Sequence, residues 1–328
     1  MKRIQISLNG ALGFIGIAAT MLCHPALAQD GYPNRSITML VPAAAGGPSD
    51  TVARLVAEGM SADLGQRVII ENVGGAGGSL GAAQVARAAP DGYTLLLYHI
   101  GVATFAPLYP NLTYKPEEFE PVGLVTEVPL TIVGRKDFPP ADIAALIEFL
   151  KGKGSGATFG TAGVGAASDL CGRLFSDATG IKLTVVAYRG TGPAMNDLVG
   201  GQIDLMCDQT TNTTNQIEAK QIKPYAVTTR SRIAVMPNLP TLAESGVKDF
   251  DLSAWHAIWA PKGTPEPIRQ KLAASLRKAL ADKKVIERFA ALGTAPVSAE
   301  MATPAALQER FRSEIGRWGK LLAGTTAN

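Results

Sequence analysis

Strands, glycine-rich loops and helices follow one another along most of this chain, and that order restricts it to an α/β fold. Residues 36–41 (SITMLV) read as a strand, a Gly-rich loop follows, and Val52, Leu55, Val56 and Met60 then fall at helical spacing. Residues 67–71 (RVIIE) and 93–98 (YTLLLY) read as strands, with a helix over 82–89 between them. Residues 122–133 are apolar and extended, with Pro129 inside. Beyond them the pattern predicts helices over 141–151, 168–178, 193–199 and 213–220. Strands fall between them at 158–160, 183–187, 203–207 and 226–229. From Pro265 the chain reads as helical, over 268–281, 284–292 and 304–322. Such alternation predicts parallel sheets covered by helices on both faces. No sequence-level repeat or low-complexity tract stands out.

In such sheets ligands bind at the carboxyl ends of strands, on loops that lead into helices. Three loops fit. In residues 42–50 (PAAAGGPSD), Pro48 suits a first helical position, where a missing N–H costs nothing, and Gly46 and Gly47 admit a close ligand. Residues 160–168 (GTAGVGAAS) and 188–194 (YRGTGPA) repeat the design. The free N–H groups of a first helical turn, with the positive end of the helix dipole, favour an anion. Helix starts from two regions of the chain suit a ligand with two carboxylates.

Other classes fit less well. Hydrophobic residues at 46% rule out a disordered chain. The net charge is +3, and without Lys2 and Arg3 it falls to +1, no footprint for nucleic acid. Lys2-Arg3, an apolar stretch over 8–22 and Ala26-Leu27-Ala28 read as a signal peptide, residues 1–28, cut before Gln29. The mature protein is then exported and soluble. Export permits a disulfide between the two remaining cysteines, Cys171 and Cys207, and two buried thiols are the other reading. His99 and His256 have no neighbours at metal-ligand spacing. Gly77-Gly78-Ser79-Leu80-Gly81 matches the nucleophile elbow of serine hydrolases, with Asp208 and His256 in the required order, but the elbow's strand should end at the serine. Here a Gly-rich loop intervenes. Gly163-Val164-Gly165-Ala166-Ala167-Ser168 lacks the third glycine of a dinucleotide fingerprint.

The segments YPNRSITMLVPAAAGGPSDTVAR, VIIENVGGAGGSLGAAQVARAAPDGYTLL, FGTAGVGAASDL, VVAYRGTGPAMNDLVGGQIDLMCD, LPTLAESG and SAWHAIWAPKGTP run in the order of one family. On them the chain resembles the Bug family, the extracytoplasmic solute receptors of tripartite tricarboxylate transporters. The resemblance implies a type II periplasmic-binding-protein fold: two α/β lobes with a ligand cleft between them, no catalysis and no cofactor. Lobe 1 is expected over 29–126 plus 258–328 and lobe 2 over 127–257, with crossings near 125–129 and 255–259. The ligand would be a small carboxylate, the partners the permease subunits of such a transporter, and the receptor a monomer.

Carried onto this sequence, the resemblance implies first-lobe contacts from Ala44, Gly47, Ser49, Asp50 and Ser79. In the second lobe it implies Thr161, Val164, Gly165, Ala166, Ser168, Tyr188, Arg189 and Gly190, with Asp208 at the family's acidic position. His99 stands where many relatives have a small hydroxyl residue, and it reads as a ligand contact or as a structural histidine at a strand end. Gln209-Thr210-Thr211-Asn212 reads as a helix cap in preference to a ligand contact. Trp255 and Trp259 read as hinge packing in preference to ligand stacking. CDQTTN together with SAWHAIWAPKGTP is similar to the terephthalate receptors. That points to an aromatic dicarboxylate, with aliphatic di- and tricarboxylates and carboxylic amino acids as the alternative.

Overall fold

The computed structural model describes residues 31–153 and 156–324. The expected signal peptide lies outside them. The chain divides into residues 1–32 and 33–328. Of the first unit only residues 31 and 32 are described, in a turn. The described strands and helices all belong to the second.

The elements run β1 (Ile37–Val41), α1 (Pro48–Leu64), β2 (Val68–Asn72), α2 (Ser79–Ala86), β3 (Thr94–His99), a short α3 (Phe105–Leu108) and the long β4 (Glu120–Arg135). Then come α4 (Ile143–Lys153), β5 (Thr158–Thr161), α5 (Ala167–Thr179), β6 (Thr184–Ala187), α6 (Thr191–Val199), β7 (Leu205–Gln209), α7 (Thr210–Glu218) and β8 (Ile222–Val227). The chain closes with β9 (Ser253–Ala260), α8 (Glu266–Ala281), α9 (Lys283–Ala291) and α10 (Pro304–Leu321).

The strands are ordered β2-β1-β3-β9-β4-β7-β5-β6, with β8 also on β4. The pairs β1·β2, β1·β3, β5·β6 and β5·β7 are parallel, as the alternation predicts. The middle is antiparallel: β9 lies between β3 and β4, and β4 also pairs β7 and β8. The predicted extended run at 122–133 is part of this 16-residue strand. Its first part pairs β9 as far as Pro129↔Ser253, and from Leu130↔Gln209 onward it pairs β7. Proline lacks the N–H that a central strand needs. Pro129 sits where β4 passes from one partner to the other, so its missing donor falls at the handover.

The strands at the centre are apolar on both faces because helices cover both. Leu95, Leu96 and Leu97 of β3 are fully buried. α1 lies so close to α8 that a Cβ on Gly59 would come within 2.7 Å of the Ala279 Cβ. Trp255 and Trp259 of β9 are fully buried, 5.9 Å apart between ring centroids, and both pack on Phe311 of α10. They are packing residues of β9. Cys171 of α5 and Cys207 of β7 form a disulfide, Cα–Cα 6.1 Å. Among the described residues no helix is long and apolar enough to cross a membrane.

Candidate ligand-binding site

Two helix starts share one design. Gly46 to Arg54 and Gly165 to Arg173 both read G-x-x-S-D-x-x-x-R, a correspondence of four residues in nine that is too sparse to register as a sequence repeat. In α1, Asp50 Oδ2 accepts from Gly46 N and Arg54 Nε, each at 2.9 Å. In α5, Asp169 Oδ2 accepts from Gly165 N at 2.9 Å and Arg173 Nε at 2.8 Å. Each aspartate therefore folds its own loop onto its helix. Burial works to raise the Asp50 carboxyl, but the Arg54 guanidinium and the Gly46 N–H outweigh it and hold the group below its usual range. Asp50 is a loop anchor. The serine one residue earlier, Ser49 or Ser168, faces the cavity instead.

That cavity lies between the β1, β2 and β3 loops on one side and the β5, β6 and β7 loops on the other. Ser49, His99, Ser168, Arg189, Gly190 and Asp208 line it together. Pro42, Ala43, Gly75, Gly78, Tyr98, Ala162, Thr191 and Gln209 line it as well, and the sequence reading does not find them. The remaining expected contacts hold the loops. Gly47 and Ala166 are the N-cap residues of α1 and α5. Ser79 opens α2, buried, and its carbonyl accepts from Tyr114 Oη. Thr161 Oγ1 accepts from Gly163 N, and Tyr188 Oη donates to Asp197 Oδ2 at 2.7 Å.

Ala44, Val164 and Gly165 lie where the two sides meet. Tyr109 Oη donates to the Val164 carbonyl at 2.8 Å, and Thr104 Oγ1, which donates to the Gly101 carbonyl at 2.8 Å, also lies 3.3 Å from that of Gly165. A Cβ on Gly190 would come within 2.8 Å of the Ala44 Cβ, and one on Gly77 (φ 57°) would overlap the Val164 carbonyl oxygen. The glycines let backbone meet backbone, and the two sides of the cavity are in contact.

Two histidines are paired across β3 and β9 at its floor, His99↔His256. Both are buried, and burial pushes His256 down to about 3 and His99 well below the usual value, so both are neutral. His99 stacks on Tyr98 at 3.9 Å, and its Nδ1 accepts from Gly101 N at 3.0 Å. Its one proton therefore sits on Nε2, as a donor. His256 Nε2 lies 3.1 Å from Ser49 Oγ, and its Nδ1 lies 3.2 Å from the Ala254 carbonyl oxygen. The serine–histidine contact in this protein is thus made by Ser49, not by Ser79. A backbone carbonyl stands where a hydrolase would place a carboxylate, and a histidine this weakly basic cannot take the serine proton near neutrality.

Asp208 is the next-to-last residue of β7, at 1% exposure. Burial lifts its carboxyl to about 7, against the Asn212 amide and the Gln209 N–H, which favour the charged form. Asn212 Nδ2 donates to Asp208 Oδ2 at 2.6 Å. This corrects the capping reading of 209–212. Gln209 is the N-cap residue of α7 but makes no side-chain cap bond; it lines the cavity, and Asn212 clamps Asp208. Among the described residues no three His, Cys, Asp or Glu side chains gather as metal ligands.

Residues 52–324 match the family described as tripartite tricarboxylate transporter family receptor. The protein BugT of Bordetella pertussis is 34% identical over 98% of this chain and 99% of its own length. The structure of the periplasmic binding protein BugD superposes with a TM-score of 0.87 at 49% identity, covering 90% of this chain and all of BugD. MatC of Rhodopseudomonas palustris, solved with bound malate, gives 0.85 at 39% identity over 89% of this chain and all of MatC. Another R. palustris protein, Rpa4515 with adipate, gives 0.85 at 31% identity over 90% of this chain and 99% of that one. The fold is that of periplasmic binding proteins, and the chain belongs to the tripartite tricarboxylate transporter receptor family, whose members are solute-binding receptors.

Proposed function

We propose that this protein captures a small dicarboxylate in the periplasm, by closure of two lobes, and delivers it to the permease of a tripartite tricarboxylate transporter. The lobes are residues 29–126 with 258–328, and 127–257, in a monomer released from its signal peptide after Ala28. The observation that carries the reading is the pair of matched helix starts, with Ser49 and Ser168 on opposite sides of one cavity. Arg189 and the His99 Nε2–H add donors there. Donors from both sides suit an anion with a charge at each end. The malate-bound and adipate-bound relatives support an aliphatic acid of four to six carbons within this class. An aromatic diacid such as terephthalate has the same two ends and belongs in the same test. No hydrolysis is part of the function.

The test is a thermal-shift panel on the protein from Gln29, unfolded and refolded to strip any bound ligand, with malate, succinate, adipate, citrate, glutamate and terephthalate. A ligand at ~100 times its Kd adds about 2.7 kcal/mol and raises the melting point by several degrees. A shift with no dicarboxylate would refute the reading.

A further inference from the structure

Ser49 and Ser168 hold the same position in the two matched helix starts, yet they meet the cavity with opposite hydrogen-bond polarity. Ser168 Oγ accepts from Ala162 N at 2.8 Å, so its own proton is available to a ligand. Ser49 Oγ lies 3.1 Å from His256 Nε2, while His256 Nδ1 faces the Ala254 carbonyl, which can only accept. The neutral ring carries one proton, and that proton belongs on Nδ1. Nε2 is then bare and accepts a hydrogen bond from the Ser49 hydroxyl, which keeps its proton. What Ser49 shows the cavity is a lone pair. Gln209 supplies a second acceptor: its side chain lines the cavity at 3% exposure, and its Oε1 is buried without a partner. Asp208 beside it offers a carboxyl oxygen.

A plain dicarboxylate carries acceptors only. Against Ser49 and Gln209 it would leave acceptor facing acceptor among buried groups, and a site built around buried polar groups rejects a ligand that cannot pair them. We infer that the ligand bears a polar hydrogen, on a hydroxyl or an ammonium group, on the skeleton between its carboxylates, and that Ser49 and Gln209 select for it. This rests on the dicarboxylate reading and narrows it. The two serines divide the work: Ser168 gives a proton to a carboxylate, and Ser49, turned by His256, receives one from the skeleton.

The test is calorimetric titration of the refolded protein with matched sets. They are succinate, malate and aspartate; glutarate, 2-hydroxyglutarate and glutamate; terephthalate with its 2-hydroxy and 2-amino forms. In the set whose length binds, a substituted member binds about tenfold tighter or more than the plain one. The better of the hydroxyl and ammonium members identifies the donor. Gln209→Met and Ser49→Ala each bring that ratio below roughly threefold, with a normal ligand-free melt as the check on folding. If one variant does not fold, the other carries the test. A plain diacid that binds as tightly as both substituted partners overturns the inference and leaves the dicarboxylate reading standing. Failure of every set and of adipate and citrate as well overturns that reading itself.

Discussion

The Cys171–Cys207 bond ties together two of the second-half elements that reach the cavity, α5 and β7. Cys171 lies one turn beyond Ser168 in α5, and Cys207 directly precedes Asp208 in β7. Replacing both with alanine removes a cross-link across a sequence separation of 36. The loop-closure relation puts the lost stabilisation at about 3.8 kcal/mol at 25 °C. Residues 33–328 form one compact unit, and taken as unfolding in one step, at ~2.1 cal/mol/K per residue, it has an unfolding entropy of about 0.6 kcal/mol/K. The double variant should therefore melt about 6 °C below wild type. The assay is a melt of refolded, ligand-free protein, because bound ligand would shift both curves. Wild type melted in reductant isolates the cross-link from the packing of the two buried sulfurs, and it should move toward the variant. A variant melting within about 2 °C of wild type would show that the denatured chain is not entropically restrained as the relation assumes.

Other outcomes follow from the site. Ser168→Ala and Arg189→Ala should each weaken dicarboxylate binding about tenfold in calorimetry, on the scale of one hydrogen bond to a charged group; the ligand-free melt should be little changed for Arg189→Ala and lowered by a few degrees for Ser168→Ala, which also loses the bond from Ala162 N, and wild-type affinity in both would dismiss the second-half contacts. Gly77→Ala puts a Cβ into the Val164 carbonyl oxygen and within 2.8 Å of Tyr109 Oη, so the closed contact cannot form. Binding should fall by more than about tenfold, more than a single lost hydrogen bond explains, and small-angle scattering with ligand should give a larger radius than for wild type. Asp208 has its carboxyl at about 7 in the fold and 3.8 as the ordinary value, so between those values the native state holds a proton that the unfolded chain has lost. Stability from this group thus falls as pH rises from 4 to 7 and is level above. In urea unfolding, the stability of Asp208→Asn relative to wild type should rise across pH 4–8 by on the order of 4 kcal/mol; a constant difference would mean that Asp208 titrates normally.

Much of the fold is legible in the sequence because each βα step is local. Residues 36–41 predict β1 and 158–160 predict β5, each with its helix after a Gly-rich loop, and each lies where expected to within a few residues. The antiparallel middle is less legible. Nothing local says that residues 253–260 return between β3 and β4. The site divides the same way. Ser49, Ser168, Arg189 and Gly190 stand at helix starts, where the chemistry of a terminus announces itself. Asp50 resembles them by position, but a carboxylate two residues into a helix is satisfied by its own loop before any ligand arrives. His256 and Ser49 are 207 residues apart, and no spacing rule joins them. Gln209 and Asn212 read as capping residues because the preference for polar groups before a helix is common, whereas their use here depends on Asp208 being buried.

The closed arrangement also says where the free energy of capture must reside. Across the two sides, the hydrogen bond from Tyr109 ends on a backbone carbonyl, and Thr104 shares its proton between Gly101 and Gly165. One neutral hydrogen bond and a shared one give a net stabilisation of about 1–2 kcal/mol. Ordering the facing loops opposes closure with a comparable entropy. Under the proposed closure such contacts give the closed form no strong advantage of their own, and a ligand shifts the balance only by what it gains from touching both sides at once. The duplicated helix starts make that gain possible, because each side brings a serine and a turn of free N–H groups. Their unequal polarity makes it selective. An anion that only accepts hydrogen bonds can draw on Ser168 but meets a lone pair at Ser49. A ligand that also donates one engages both sides, and it gains most when the protein shuts.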